Sequence, residues 1–351
     1  MKIAQVIIGY HERIGGYGRH VNLITEELKR RGHDVTIIST KFSPGEYKKE
    51  SGVVRLWNTP LLKITPSLLT HLLSNDYDIV HVFGYPSFQP FITCLAKEFK
   101  KFPLIFTPHY HPFGYKPAPL RKLFDLTFGN YALKKPDYVI ATTDYEKRML
   151  RRRGVKKISV ILNPLKTDKL RKIKGFKKKY GIKKDFILFV GRIEKDKGLQ
   201  YLIPAVKGLP ITLAVVGKNF GHKSKLPEQN NVLFTGSVSQ EDLMSAYTEC
   251  KFLVLPSKYE SFGIVLIEAM HYSKPVIATR TGPVPSIVKD SGLLIRYSDI
   301  NSLRDSIKKL LNDNKLRQLM GREAYRSSLI YDVKNVVDKL LIIYNEVLKK
   351  K

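Results

Sequence analysis

Short apolar runs alternate with helix-like segments along most of the 351-residue chain. A run of four to six apolar residues bounded by turns predicts a buried strand, whereas apolar positions three and four residues apart predict an amphipathic helix. The strand Ile3–Ile8 is followed by the helix Arg19–Arg31, which Gly32 ends. The other predicted strands are Val35–Ser39, Asp78–Phe83, Leu104–Thr107, Tyr138–Ala141, Ser159–Leu162, Phe186–Val190, Thr212–Val216, Val232–Thr235, Phe252–Leu255, Pro275–Thr279 and Gly292–Ile295.

Helices are predicted between these strands, and such alternation is typical of parallel sheets covered on both faces. The pattern breaks once, between Asn163 and Lys184. We therefore predict an α/β protein with two doubly wound Rossmann-like domains, 1–164 and 165–330, facing across a cleft, and a C-terminal helix, 331–351, that returns towards the first domain. The predicted helices after the first are Phe88–Phe99, Leu199–Lys207, Glu241–Glu249, Val265–Tyr272, Pro283–Lys289, Ile300–Leu311 and Asp332–Lys349.

Charge changes this picture more than composition does. The chain has 61 Lys and Arg against 31 Asp and Glu, a net charge of +30. Seventeen of the basic residues fall in Lys147–Lys184, which has a single acid, Asp168. Such a field attracts nucleic acid, an anionic membrane surface or phosphorylated ligands. A solvated surface that binds none of these is the alternative interpretation.

The cysteines and the apolar runs indicate the compartment. Cys94 and Cys250 are the two cysteines, and their separation excludes a disulfide framework and a cysteine zinc site. No run reaches the ~18 apolar residues of a membrane span, and the N-terminal segment lacks the cleavage site of a signal peptide. These features predict a soluble cytosolic protein.

Glycines and cations follow the first predicted strand of each domain. The glycine-rich segment 9–20 precedes a helix, where N-terminal amides favour an anion; a flexible loop is the alternative. In the second domain, Arg192 and Lys197 follow the strand Phe186–Val190. Arg binds a diphosphate through its fork of donors and Lys as a point charge. In so basic a chain, the two cations also fit an ordinary solvated loop.

Two glutamates flank the loop and helix that follow the strand Phe252–Leu255. Glu260 and Glu268 are separated by seven residues, and the amides of Ser261–Val265 lie between them. Carboxylates accept hydrogen bonds from sugar hydroxyls, and amides at a helix N-terminus bind phosphate. The spacing therefore suits a sugar-phosphate ligand, although a capped helix with Glu268 exposed fits it equally well.

The Glu260–Glu268 spacing resembles the EX7E motif of the retaining glycosyltransferases of family 4, which have the GT-B fold. Further segments occur in the order of that family, from about Ile3 to Ile295. The resemblance implies a nucleotide-sugar donor bound by the second domain, an acceptor bound by the first, and no cofactor. The matching segments are GGYGRH at 15–20, DIVHVFG at 78–84, TPHYHP at 107–112, GRIEKDKGL at 191–199, TGSVSQEDL at 235–243 and SFGIVLIEAM at 261–270.

The resemblance also implies the catalytic residues. Arg192 and Lys197 resemble the pair that binds the donor diphosphate. Glu260 resembles the carboxylate that holds the hydroxyls of the donor sugar. His109 resembles the histidine near the reactive end of that sugar, and His111 is a nearby competitor for this role.

The donor-binding residues follow in the same way. Glu268 resembles the carboxylate that binds the ribose. Gly16 resembles the glycine that approaches the diphosphate from the other domain, and Gly217 and Val238 resemble positions that line the base. The backbone loop that binds the sugar-phosphate is matched by Phe262, Gly263, Ile264 and Val265.

Some residues depart from the family pattern or lack a role in it. In segment 281–286, Pro and Ser replace a Gly and a Glu that are usual there, which affects donor-side detail. Asp76 and Asp78 form a DxD pair, but they precede a strand instead of following one, so we interpret them as a strand-entry turn and predict no metal site. His20 and His81 are expected to pack or to form hydrogen bonds.

These observations predict a retaining hexosyltransferase that moves a sugar from a nucleoside-diphosphate sugar to an acceptor hydroxyl. The resemblance implies a front-face mechanism in which the leaving diphosphate, stabilised by cations and amides, helps to deprotonate the acceptor. The alternatives are a nucleotide-sugar 2-epimerase of the same fold and a nucleic-acid-binding protein. No base-reading motif supports the latter, so nucleic acid is not an expected partner.

The acceptor prediction rests on the segment Pro117–Lys135, where apolar residues alternate with Arg121 and Lys122. A basic amphipathic segment of this kind lies in membrane interfaces. The segment follows His109 in the acceptor domain, so we expect a peripheral enzyme on the inner face of the membrane with a lipid-linked acceptor. An ordinary core helix with a basic rim and a soluble acceptor are the alternatives.

Overall fold

The computed structural model describes residues 1–9, 15–40, 51–59, 64–110, 118–221 and 226–349. The chain divides into two compact units. Unit 1 comprises Met1–Pro164 together with Val333–Lys351, and unit 2 comprises Leu165–Asp332. Each unit is built on its own parallel sheet, the α/β architecture that the alternating pattern predicts.

The sheet of unit 1 has seven strands in the order β3-β2-β1-β4-β5-β6-β7, all paired in parallel. Its strands are β1 Lys2–Ile7, β2 Asp34–Thr40, β3 Val53–Leu56, β4 Ile79–Phe83, β5 Leu104–Thr107, β6 Tyr138–Ala141 and β7 Ile158–Val160. Its helices are α1 Gly15–Arg30, α2 Ser67–Ser74, α3 Phe88–Lys100, α4 Ala118–Leu126, α5 Phe128–Lys134, α6 Asp144–Arg152 and the last helix of the chain, Val333–Leu348.

Alternating residues of these strands form cores on the two faces of the sheet. Ala4 and Val6 of β1 belong to one buried cluster, with residues of α2 and α3. Ile3 belongs to the other cluster, with α1 and the helix Val333–Leu348. The C-terminal helix therefore completes unit 1, because it buries its apolar side against the first strand and the first helix.

The sheet of unit 2 has six parallel strands in the order β10-β9-β8-β11-β12-β13. These are β8 Phe186–Val190, β9 Thr212–Val216, β10 Val232–Gly236, β11 Leu253–Leu255, β12 Val276–Thr279 and β13 Gly292–Ile295. The helices are α7 Phe176–Lys179, α8 Leu199–Ala205, α9 Gln240–Glu249, α10 Ile264–His271, α11 Val284–Val288, α12 Ile300–Asn312 and α13 Asn314–Ser328, so the helix Val333–Leu348 is α14.

The strand order identifies where a ligand of each sheet binds. In unit 1 the order reverses between β1 and β4, and in unit 2 between β8 and β11. The loops that leave two such strands run to opposite faces, which opens a crevice at their carboxyl ends. In unit 2, these are the loops that carry Lys197 and Glu260.

Several elements differ from their predicted form. Helix α1 begins at Gly15, so the glycine-rich segment supplies its first turn instead of a preceding loop. Strand β3 is an edge strand whose four residues are all half-buried, so buried and exposed residues do not alternate along it. Helices α2, α6, α7 and α13 were not predicted, and neither was strand β3. Within the described ranges, no helix has both the length and the apolar character needed to cross a membrane.

Candidate functional site

The loops that follow β8 and β11 lie side by side in unit 2. The N–H of Lys258 donates a hydrogen bond to the carbonyl oxygen of Asp196 at 2.8 Å. Gly198 ends the first loop with φ +77°, and a Cβ there would stand 2.1 Å from the carbonyl oxygen of Pro256. Only glycine allows so close an approach in this conformation. The backbone thus fixes the two loops against each other.

This packing brings together two of the predicted catalytic residues. Nζ of Lys197 donates to Oε1 of Glu260 at 2.6 Å. The two side chains are 19% and 12% exposed, so the pair is largely withdrawn from water but keeps some contact with it. Charge-assisted bonds of this kind are short and strong. The pair offers one cation and one carboxylate at the carboxyl edge of the sheet.

Arg192 lies at the rim of this site. Its side chain is 62% exposed and its Nη1 lies 3.1 Å from a carboxylate oxygen of Glu194. An exposed ion pair contributes little to stability, about 0–1 kcal/mol. The guanidinium is therefore available to an anionic ligand at small cost, unlike the ammonium of Lys197.

The start of α10 supplies backbone donors beside Glu260. Gly263 is the N-cap residue with φ +84°, and Ile264 and Val265 are the first helical residues. Amides in the first turn of a helix have no intrahelical acceptor, and with the helix dipole they favour an anion. Phe262 is buried, with its ring centroid 5.9 Å from that of Tyr331. Its packing holds the loop at the entry to the helix.

Glu268 is buried, in contrast to the exposed position that one interpretation expects. It is 2% exposed on α10, and the hydroxyl of Tyr247 donates to its Oε2 at 2.8 Å. Burial and the Glu268 carboxylate together raise the pKa of Tyr272 to about 12. Glu268 therefore belongs to an internal polar cluster, and its ribose-binding role stays a prediction.

The loop after β9 reaches the same edge of the sheet. A Cβ on Gly217, which has φ +151°, would stand 1.8 Å from the carbonyl oxygen of Gly191. Sequence reasoning missed Phe220, whose ring is 52% exposed and lies 5.8 Å from the guanidinium carbon of Arg192. Its signal was an aromatic residue close after a strand end. Val238 is half-buried between β10 and α9.

In unit 1, His109 follows β5 and has φ +50°, a left-handed backbone that is uncommon outside glycine. Its half-buried ring makes an edge contact with the ring of His20, the centroids being 4.8 Å apart. Burial lowers the pKa of His20 to about 4. Gly16 lies in the first turn of α1. His111 lies outside the described residues.

The expectation that His20 and His81 pack or form hydrogen bonds is confirmed. The ring of His81 hydrogen-bonds through Nδ1 with the hydroxyl of Tyr344 at 2.7 Å and through Nε2 with the hydroxyl of Thr107 at 2.8 Å. Burial lowers the pKa of His81 well below its ordinary value. These two rings are therefore neutral at pH 7 and hold the interior of unit 1 together.

The acidic pair Asp76 and Asp78 lies before β4. Asp76 is 3.0 Å from Nζ of Lys100, and Asp78 accepts a hydrogen bond from the N–H of Lys2 at 2.7 Å. Both partners belong to the amino edge of the sheet, which is the turn that we expected there. In the part of the chain that the structure describes, no three His, Cys, Asp or Glu side chains are grouped so as to hold a metal ion.

The two halves of the chain match two family models, one for each parallel-sheet unit. Residues 14–169 match the family model described as Glycosyltransferase Family 4. Residues 172–327 match the model described as Glycosyl transferases group 1. The chain belongs to the group 1 glycosyltransferases and is a hexosyltransferase.

Similar proteins and solved structures agree with this assignment. An uncharacterized 41.2 kDa protein in the cps region of Klebsiella pneumoniae is 30% identical over 67% of this chain and 70% of its own length. An uncharacterized glycosyltransferase of Methanocaldococcus jannaschii is 28% identical over 96% of both chains. Among solved structures, Anabaena Alr3699/HepE in complex with UDP is similar with a TM-score of 0.82 and 20% identity, over 99% of this chain and 100% of that one. The last likeness shows the GT-B fold.

Proposed function

We propose that this protein is a retaining glycosyltransferase that takes a sugar from a nucleoside-diphosphate sugar and transfers it to an acceptor hydroxyl. The observation that carries the proposal is the ion pair of Lys197 and Glu260, 2.6 Å apart at the switch point of the second sheet. A cation and a carboxylate in contact match the two halves of a sugar diphosphate. The cation binds the phosphate oxygens, and the carboxylate accepts from the sugar hydroxyls.

The leaving group needs the most stabilisation. As the bond between the sugar and the diphosphate breaks, negative charge develops on the phosphate oxygens. In this proposal Arg192, Lys197 and the first amides of α10 receive that charge, and groups fixed in place beforehand stabilise it most strongly. The complexes of Anabaena HepE with UDP and with UDP-glucose support a nucleotide-sugar donor for proteins of this fold.

A thermal-shift panel tests the donor. UDP-glucose, GDP-mannose and ADP-glucose are added to the wild type and to Lys197→Ala, because a ligand that binds the native state raises the melting temperature. A shift with one donor that is lost in the variant supports the proposal. The absence of a shift with all three donors would contradict it. Product analysis with donor alone then separates slow hydrolysis, in which water replaces the acceptor of a transferase, from 2-epimerisation.

The acceptor proposal concerns a surface of unit 1. We propose that α4 and α5 lie against the inner face of the membrane and that the acceptor is lipid-linked. Leu123, Leu126 and Phe128 are 60%, 66% and 40% exposed, and Lys122 beside them is exposed. Three large apolar side chains exposed to solvent next to a cation are typical of a surface that binds between the headgroups and the acyl chains of a membrane.

Sedimentation with vesicles tests this surface. Each cation near an anionic membrane contributes about 1 kcal/mol, so binding should need anionic lipid and should weaken in high salt. Leu123→Glu/Leu126→Glu should abolish binding. Leu319→Glu is the matched control, because Leu319 is a 50% exposed leucine of unit 2. Equal binding by the two variants, or none by the wild type, would move the acceptor away from the membrane.

A further inference from the structure

Glu146 is a fully buried carboxylate at the start of α6. Its N–H bonds to the hydroxyl of Thr143, the N-cap residue, at 3.0 Å. In a capping box the glutamate side chain returns to the N-cap amide. Here it reaches past that residue instead, and Oε2 accepts from the N–H of Thr142 at 2.6 Å and from its hydroxyl at 2.8 Å.

The second oxygen of this carboxylate reaches a different strand. Oε1 of Glu146 accepts a hydrogen bond from the N–H of Tyr110. Tyr110 is itself buried, with its ring centroid 5.2 Å from that of Tyr85. One side chain therefore ties the end of β6 to the loop that leaves β5. A buried carboxylate costs free energy unless its oxygens find donors, and this one accepts three hydrogen bonds.

The loop that is tied in this way contains His109, the residue before Tyr110. The left-handed backbone of His109, with φ +50°, costs about 1–2 kcal/mol for a residue with a Cβ. Such a conformation persists only where its surroundings enforce it. The bond from Tyr110 N–H to Glu146 fixes the peptide on one side of His109, and the ring of His20 meets its side chain 4.8 Å away.

We propose that Glu146 is a positioning residue that holds the His109 loop in its reactive conformation. The inference rests on the proposed function at one point, which is that His109 lies beside the reacting sugar. Glu146 does not touch the substrate, since the residue is buried. Its effect passes through the Tyr110 amide to the backbone of His109 and so to the direction of the imidazole.

The first test observes His109 directly and needs no substrate. The ring nitrogens of the histidines are followed by NMR in the wild type, and the His109 signals are identified by their loss in His109→Gln. Glu146→Gln should shift or broaden these signals, because an amide presents two donors where the carboxylate accepts three bonds. His33 lies on another edge of unit 1 and its signals should stay unchanged.

The second test uses turnover with whichever of UDP-glucose, GDP-mannose and ADP-glucose the wild type accepts. A displacement of about 1 Å at a reacting group costs about 10²-fold in rate. Glu146→Gln should therefore lower kcat by up to about 10²-fold and leave the KM for the donor unchanged, with Glu146→Ala lower still. Glu27→Gln is the control, because Glu27 is a buried acid of α1 that pairs with Arg30 and Arg31, away from the His109 loop.

The two tests fail separately. Unchanged His109 signals in a folded Glu146→Gln would overturn the positioning role, whatever the activity. Altered signals with no turnover by the wild type would contradict the proposed function and leave the positioning of His109 established. Equal losses of kcat in Glu146→Gln and Glu27→Gln would show that general destabilisation is the cause and would also overturn the proposal. If Glu146→Ala does not fold, the Gln variant decides.

Discussion

The polar groups at the carboxyl edges of the two sheets differ in charge. In unit 2 they form charged pairs, of which Lys197 and Glu260 are largely buried and Arg192 is exposed. In unit 1 the nearby polar groups are buried: burial lowers the pKa values of His20 in α1 and of His81 in the middle of β4, so both rings are neutral at pH 7. The groups of unit 2 are charged, whereas the two imidazole rings of unit 1 are neutral and belong to a buried hydrogen-bond network.

This difference teaches how each edge contributes to binding. An exposed charge such as that of Arg192 loses little hydration when it binds an anionic ligand, and the paired charges of Lys197 and Glu260 are already held in place. A buried hydrogen-bond network does not attract an anionic ligand, but it fixes the loop that it contacts. Unit 2 is therefore suited to bind the charged part of a substrate. Unit 1 is suited to hold one side chain, His109, in a single orientation.

The largest effect should come from breaking the charged edge. Lys197→Ala and Glu260→Ala should each lower kcat by about 10²–10³-fold, the range for removing one preorganised group that stabilises the transition state. The control is Lys179→Ala, because Lys179 forms a pair of the same 2.6 Å length with Asp242, elsewhere in unit 2. Equal kcat in Glu260→Ala and Lys179→Ala would contradict the assignment of the edge as the donor site.

The second prediction concerns the backbone that carries this edge. Gly198→Ala adds a Cβ 2.1 Å from the Pro256 carbonyl oxygen at φ +77°. Crowding of about 1–3 kcal/mol and a left-handed alanine of about 1–2 kcal/mol should lower the free energy of unfolding by about 2–5 kcal/mol. Gly208→Ala has φ +71° and nothing within 4 Å, so it reports the backbone part alone. Urea denaturation that gives equal losses for both would show that the loops separate easily.

The sequence predicted the charged edge far better than the neutral one. Buried strands are short apolar runs, and Lys197 and Glu260 each lie in the loop after such a run. Because β8 and β11 are parallel neighbours, these two loops leave the same edge of the sheet. The loops and the helix start of α10 are local features. The residues of unit 2 and the GT-B fold could therefore be proposed from local segments through their resemblance to family 4, and the roles of these residues stay predictions.

The neutral edge depends on contacts between distant residues, which no local pattern reveals. His81 meets Tyr344 across 263 positions, and Glu146 meets Tyr110 across 36. A glutamate three residues after a threonine looks like an ordinary capping box, and only the fold shows that its side chain turns to another strand. The burial of Glu268 was missed for the same reason, since Tyr247 comes from a different helix.

The third prediction follows the titration of the neutral edge. Burial raises the pKa of Glu146 to about 7, although its hydrogen bonds oppose this. The folded state then binds the proton more tightly than the unfolded state, so this group favours folding at low pH. Its contribution is lost as the pH rises from about 4.5 to 7, by about 3 kcal/mol. His20 acts in the opposite direction, because its lowered pKa removes stability as the pH falls from 6.5 to about 4.

Urea unfolding of the wild type and Glu146→Gln from pH 4.5 to pH 8 separates the two groups. His20 is present in both proteins and cancels in their difference. The free energy of unfolding of the wild type relative to the variant should therefore fall as the pH rises through 7. If the difference in unfolding free energy between the wild type and Glu146→Gln stays constant with pH, Glu146 is ionised throughout this range. The carboxyl edge would then carry charge in both units.

The smallest effect is expected from removing metal ions. In the proposal, Arg192, Lys197 and the amides of α10 meet the charge of the leaving diphosphate, so a divalent cation has no charge left to neutralise there. Asp76 and Asp78 face Lys100 and the N–H of Lys2 at the amino edge of the other sheet, away from the strand ends where a ligand binds. Turnover should therefore be unchanged in excess EDTA and in Asp76→Asn/Asp78→Asn. A loss of turnover in EDTA that Mg²⁺ or Mn²⁺ restores would show that the charged edge is incomplete without a divalent cation. If Asp76→Asn/Asp78→Asn shows the same loss and restoration, the cation binds outside the DxD pair.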